Sequence, residues 1–394
     1  MARSAPVNPA PPAALTGAAL PLALYVHIPW CIRKCPYCDF NSHQRPDELP
    51  EAEYVQALLD DLREDLPLAQ GRALGSIFFG GGTPSLFTAA SFERFLRGAR
   101  ALLPFADDIE ITLEANPGTF EQARFEGYRA AGINRLSIGI QSFDPGQLQQ
   151  LGRVHDRDEA LRAAAIARAA GFDNFNLDLM FGLPGQSQQA ALLDLQQALD
   201  CAPTHVSWYQ LTIEPNTEFH RRPPRLPADE TLADMQQAGI ALLAGAGFDR
   251  YEISAYAKTG RASRHNRNYW EFGDYLGIGA GAHGKLTTAD GRVQRTRRTR
   301  MPKHYLASGA TRVAERREVT TEELPLEFLM NALRLRQGVP ARLFHERTGL
   351  EAQTVLGPAL AQLRQRGLLD PDPLRLCAST RGYDHLDTLL QSLL

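Results

Sequence analysis

Three cysteines stand within eight residues in a Cys-x3-Cys-x2-Cys pattern, Cys31, Cys35 and Cys38. With only five cysteines in 394 residues, chance places such a pattern in about one chain in a thousand, so the spacing is read as chemistry. An odd count with three thiols crowded together is not a disulfide framework. It points to a reducing compartment in which thiolates hold a metal or react. Three thiolates on a [4Fe–4S] cluster leave one iron open. That iron can take the amino and carboxylate groups of S-adenosylmethionine (SAM), and an electron from the cluster then cleaves a C–S bond to give a 5′-deoxyadenosyl radical. Zinc would need a fourth ligand nearby; His43 is the local candidate, so a Cys3His zinc site stands as the alternative.

A second feature follows at Gly80-Gly81-Gly82-Thr83-Pro84. Glycines let backbone approach a ligand and offer amides to a carboxylate. No Gly-Lys-Ser/Thr follows, so this is not a P-loop. Both features lie at the ends of short β-rich runs that alternate with helical stretches from Ala23 onward: ALYVHIP, SIFFGGGT, DIEITLEAN, RLSIGIQS, NFNLDLMFG and HVSWYQLTI. A helix is expected after each, the third of them over Thr119–Ala131. Alternating strands and helices mean a parallel sheet. Six units predict a partial (β/α)6 barrel, with its chemistry at the C-terminal ends of the strands. Cys31, Gly80–Thr83, Glu114, Gln141 and Asp178 fall at that rim, where polar side chains in apolar strands are costly unless they are used.

The expected organisation is a disordered leader over 1–21, a barrel domain over 22–250, a linking segment over 251–319 and a smaller helical, winged-helix-like domain over 320–394. Prolines interrupt the leader, so it is not a signal peptide, and no apolar run is long enough to span a bilayer. A cytoplasmic location follows, with peripheral attachment at the inner membrane face compatible with it. The net charge of −3 gives no global reason to expect a polyanionic partner. Between Gly291 and Lys303 there are five arginines and one lysine without an acidic residue. A solvated hairpin face is the plain account; anionic lipid, heme propionates or nucleic acid are the sharper ones, and no nucleic-acid partner is expected. Gly277–Ala282 matches a dinucleotide fingerprint by letters, but no helix start follows to receive a phosphate.

YVHIPWCIRKCPYCDF, FFGGGTPS, LEANPGT, SIGIQSF and DLMFGLPGQ closely resemble the oxygen-independent coproporphyrinogen dehydrogenase branch of the radical SAM superfamily. The resemblance runs from about Leu22 into the C-terminal domain. It implies that Tyr25 packs against SAM beside the cluster and that Gly81, Gly82 and Thr83 hold its methionyl end. Glu114, Gln141, Arg153 and Asp178 match positions that bind the rest of SAM. The dehydrogenases carry a further cysteine two positions after the third ligand, where this chain has Phe40. Its His265-Asn266-Arg267-Asn268-Tyr269-Trp270 segment, with Tyr275–Gly277 and Gly279–His283, resembles the sister group of heme chaperones. The chain is identified as a member of that group, which implies bound heme and its delivery to acceptor proteins such as respiratory cytochromes. Coproporphyrinogen III dehydrogenation in porphyrin biosynthesis is the runner-up and is not expected. A homodimer is compatible with the sequence.

Within that segment His265 is expected to ligate heme iron, with Tyr269 and Trp270 on or beside the same helical face against the porphyrin. His27 shares a strand face with Tyr25 and so should point toward the cluster. His155 and His283 are further candidates near the barrel mouth. Cys201 and Cys377 read as core residues.

Overall fold

The computed structural model describes residues 17–118, 122–307 and 311–393. The first sixteen residues of the expected leader, and the start of the helix expected from Thr119, lie outside these. One sheet of twelve strands dominates. In chain order its strands are β1 (Leu22–Ile28), β2 (Leu74–Gly81), β3 (Phe105–Ala115), β4 (Arg135–Gln141), β5 (Phe175–Phe181) and β6 (His205–Gln210). There follow β7 (Asp249–Arg250), β8 (Ala255–Ala257), β9 (Asp274–Ile278), β10 (His283–Thr287), β11 (Val293–Arg298) and β12 (Val313–Glu318). The spatial order is β12-β11-β10-β9-β1-β2-β3-β4-β5-β6-β8-β7.

Strands β1 to β6 run parallel in sequence order, each followed by helix, as the partial (β/α)6 barrel requires. Their composition explains this. All seven residues of β4 are buried, as are six of seven in β1 and β5, the near-continuous burial of strands covered on both faces. Helices are started by local caps. Thr88 accepts from the Ser91 amide, and Asp156 and Glu159 form a reciprocal capping box. Phe79 of β2 meets Phe92 and Phe95 of the helix Ala89–Leu102 edge-on at 5.0 and 5.5 Å. Such contacts close the outer layer.

The reading of 251–319 as a linking segment is corrected. β9 pairs in parallel with β1, Leu22 opposite Asp274, and β10 to β12 extend the sheet antiparallel beyond it. β11 and β12 escaped the pattern search because they are largely polar, VQRTRR and VAERRE, and β9 and β10 because each is a five-residue run with an internal glycine and polar residues, DYLGI and HGKLT. Buried Asp274 fixes the join. It accepts from Arg72 (2.8 Å), Lys285 (3.0 Å) and the Thr287 amide (2.8 Å).

The basic stretch is likewise mostly spoken for. Arg298 is buried and paired with Asp61 and Asp65, Arg295 with Glu327, Arg297 with Glu315, and Arg292 with Asp290 and Glu318. It holds elements together and is no free polyanion face.

A second hydrophobic core joins Phe272, Val293 and Val319 to Phe328, Phe344, Leu360 and Tyr383. Here two helices, Arg342–Thr348 and Ala352–Gln365, flank a turn in which Gly349 takes φ 72°. Val339–Pro340 pairs antiparallel with Arg375–Leu376 as a small wing. No helix among the described residues is long and apolar enough to cross a membrane.

Candidate functional site

The chain leaves β1 and enters the cysteine loop, which is tied down by backbone bonds on both sides. Gly82 and Thr83 amides donate to Ile28 O and Trp30 O at 2.8 and 2.7 Å, and the Arg45 amide to Cys31 O at 2.9 Å. Inside the loop Cys38 N bonds Cys35 O at 3.1 Å. The Lys34 ammonium gathers the carbonyls of Phe40 and Ser42 at 3.3 and 3.5 Å. Gly81, at φ 118°, must be glycine for a packing reason too: a Cβ there would lie 2.6 Å from the His27 ring.

All three thiols open onto one cavity of about 530 Å³ at the strand ends. Gly81, Gly82, Thr83, Glu114, Gln141, Arg153 and Asp178 line it with them. Tyr25 lines instead a neighbouring cavity of about 460 Å³, which shares Asp39, Phe40, Gly81 and Glu114 with the first. The residues expected to act together are thus brought together across five strands.

Charge in the larger cavity is poorly compensated. Burial, then the nearby Asp178, pushes the Glu114 carboxyl up to about 8, although the Gly81 amide donates to it at 3.1 Å. Burial also raises Asp178, against hydrogen bonds from Ser137 (2.9 Å) and Asn176 (2.7 Å). Arg153 sends one nitrogen toward Cys35 Sγ at 3.7 Å and another to Asn116 Oδ1 and Gly139 O at 2.7 and 2.6 Å. Its Nε is buried without a partner. Two carboxyls and a guanidinium around an open space fit a ligand bearing an ammonium, a carboxylate and hydroxyls.

The thiols fit a cluster. Burial drives Cys31 up to about 11 and also raises Cys38, so metal binding must displace protons. Among the described residues no three His, Cys, Asp or Glu side chains are grouped to hold a single ion. His43 is not in the cavity wall; its ring lies by the Arg300 backbone. That removes the support for the zinc alternative.

Sequence reasoning passed over Asn116, Tyr37 and Tyr209. Asn116 bridges Arg153 to Thr83, donating to Thr83 Oγ1 at 2.9 Å. Tyr209 donates to Gln141 Oε1 at 2.7 Å. The signal for Asn116 was present, two residues beyond Glu114 at the same strand end.

His265, expected to ligate heme iron, lies in the wall of neither cavity. It is only 2% exposed, with Nδ1 bonded to Ser76 Oγ at 3.2 Å and Nε2 to the Tyr269 hydroxyl at 3.0 Å. Its ring stacks on Phe78 at 5.0 Å, and burial, with Arg135 nearby, holds its pKa down at about 3. Neither nitrogen is free to bind iron. Trp270 packs under Arg334, 4.3 Å from its ring centroid, in the second core. Tyr269 reaches the wall of the Tyr25 cavity, and Tyr269 and Trp270 together line a further cavity of about 210 Å³ with Tyr275, Lys285 and Arg295. His27 has both nitrogens engaged, by Tyr25 OH and Asn41 O, each at 2.9 Å. His155 bonds Ile140 O at 3.1 Å. His283 is exposed on the wall of the Tyr25 cavity.

A parallel half-barrel with a three-cysteine loop after its first strand and polar residues at the following strand ends is the framework of a radical SAM protein. The superfamily's model, Radical SAM, matches residues 25–196, and that of the HemN C-terminal domain matches 319–385. The chain is 52% identical over 349 residues to "Heme chaperone HemW" of Escherichia coli K12, covering 89% of this chain and 92% of that one. It is 38% identical over 391 residues to the mitochondrial "Radical S-adenosyl methionine domain-containing protein 1" of Bos taurus, covering 94% and 87%. The solved coproporphyrinogen III oxidase HemN of E. coli superposes with a TM-score of 0.80 at 23% identity, covering 96% and 92% of the two chains, and confirms the fold. The chain belongs to the HemW family of heme chaperones within the radical SAM superfamily.

Proposed function

We propose that the chain binds heme and passes it to acceptor proteins, from a body that carries a [4Fe–4S] cluster with SAM beside it. The observation that carries this reading is the full-length likeness to proteins named as heme chaperones, 52% over 89% of the chain. Cys31, Cys35 and Cys38 would hold the cluster, which when bound supplies an electron for reductive cleavage of SAM. Gly81, Gly82 and Thr83 would take the methionyl end. Glu114 and Asp178 offer acceptors to an ammonium and to ribose hydroxyls, and Arg153 a cation to the carboxylate. Gln141 is held for contact by Tyr209, and Tyr25 closes the wall toward the second cavity.

Phe40 stands exposed on the walls of both cavities, in the place where the dehydrogenases carry a further cysteine. Coproporphyrinogen III should therefore not be decarboxylated. Acceptors of the respiratory cytochrome kind, a cytoplasmic location with delivery at the inner membrane face, and a homodimer belong to the same proposal. The test is transfer. Heme-loaded protein mixed with an apocytochrome should lose its heme spectrum as the acceptor gains one. Anaerobic formation of protoporphyrinogen IX at a dehydrogenase-like rate would favour the other reading.

A further inference from the structure

We propose that heme sits in the Tyr25 cavity, with His283 as an axial ligand to its iron and Arg297 and Arg300 paired to its propionates. This rests on the reading that the cargo is heme and deepens it by assigning the place. Two histidines line that cavity. His27 is spent on Tyr25 and Asn41, which leaves His283 as the imidazole of the wall without a side-chain partner among the described residues. His283 heads β10 directly opposite Arg297 on β11, and cross-strand neighbours on one face stand about 5 Å apart. Both side chains, with Arg300 just beyond the strand, face the same space.

The chemistry of the wall suits an amphipathic dianion. Among the described residues Arg297 meets one carboxylate, the exposed Glu315 at 3.0 Å, a pairing open to exchange. Arg300 touches Asn41 Oδ1 at 3.3 Å and, among the described residues, has no carboxylate partner. Phe40 on the wall is 61% exposed and, with the Tyr25, Tyr269 and Tyr275 rings that line the same cavity, offers apolar surface that a porphyrin face would cover. The two carboxyls of the cavity, Asp39 and Glu114, are on the wall it shares with the cluster, where the arginines are absent. Burial, with Arg297, Arg295 and Arg300 around it and Glu315 opposing, lowers the pKa of His283, so the imidazole is neutral and able to ligate near pH 7. The volume of about 460 Å³ lies within the about 300–1,000 Å³ of small-molecule sites.

The test titrates heme, and separately heme dimethyl ester, into the full chain with its cluster reconstituted. Wild type is compared with His283→Ala and with the Arg297→Ala/Arg300→Ala pair, iron and sulfide content serving as the folding check. His283→Ala should shift the Soret band, remove the imidazole signature in low-spin EPR and weaken heme by about tenfold or more. The double arginine variant should keep the wild-type spectrum, weaken heme by about tenfold, and leave the ester unaffected. A His283→Ala protein with wild-type affinity and spectrum would overturn the assignment while leaving heme binding itself intact. Wild type that binds no heme at all would instead sink the cargo reading on which it rests.

Discussion

The cysteine loop and the His265 segment were singled out by the same kind of sequence argument, yet they end in opposite environments. Around Cys31, Cys35 and Cys38 the polar groups converge on open space and are left in want of partners: Glu114 up to about 8, Arg153 Nε unbonded, thiols raised by burial. Around His265 every polar atom of the ring is answered within the protein, by Ser76 and Tyr269, and Phe78 covers its face. The first arrangement is prepared for something absent from the chain. The His265 ring is satisfied, and its place is to bond the helix Arg264–Trp270 to β2, while Trp270 Nε1 in the same segment is buried without a partner beside a small cavity. Unsatisfied groups at a cavity mark a site more reliably than residue types that would be able to ligate.

The sharpest way to break this contrast is to delete cysteines. Cys31→Ala, Cys35→Ala or Cys38→Ala should each abolish the cluster, whereas Cys201→Ala and Cys377→Ala, buried and outside the site, should retain full iron and sulfide. Assay of both elements after anaerobic reconstitution decides it.

Next in size is His265→Ala. Losing a fully buried ring with two hydrogen bonds and a stacking contact should cost about 3 kcal/mol, read as a lower urea midpoint. Heme should still bind to the folded fraction with an unchanged Soret band. A changed spectrum at unchanged stability would restore His265 as a ligand.

A smaller effect comes with pH. The His265 pKa falls from 6.5 unfolded to about 3 folded, so the unfolded chain binds the proton first. The neutral ring's contribution is full above pH 6.5 and is lost as pH falls toward 3. Between pH 6.5 and 5 that amounts to about 2 kcal/mol from this group. Raised carboxyls such as Glu114 act in the opposite sense, losing stability as pH rises toward 8, so the useful quantity is a difference. His265→Gln should show a shallower loss of stability on acidification than wild type, measured by urea unfolding at both pH values. Equal slopes would mean that the ring is not buried neutral.

The least expected effect is on nucleic acid. With Arg292, Arg295 and Arg298 paired to carboxylates and Arg297 and Arg300 facing the Tyr25 cavity, duplex oligonucleotides should show no salt-dependent binding in a low-salt anisotropy titration.

How much of this was legible depends on the range of the contacts involved. The barrel and its rim were readable because β1 to β6 are short β-rich runs alternating with helices, and the site residues fall at fixed places at their ends. The continuation of the sheet through β9 to β12 was not, since its polar faces hide the strands and its register depends on Asp274 meeting Arg72, 202 positions away. The burial of His265 was out of reach for the same reason. Ser76 lies 189 positions from it, and no local pattern announces that a histidine at i and a tyrosine at i+4 will bond each other rather than a ligand. Asn116 was within reach, being on the strand end already chosen.

The central claim is that the open cavity beside the three thiols receives SAM on a cluster with one free iron. The direct measurement is EPR of the reduced, reconstituted protein with and without SAM. About four iron and four sulfide per chain, with a signal that SAM reshapes, is the predicted result. Stoichiometric zinc without iron–sulfur absorption, or a cluster signal indifferent to saturating SAM, would contradict it.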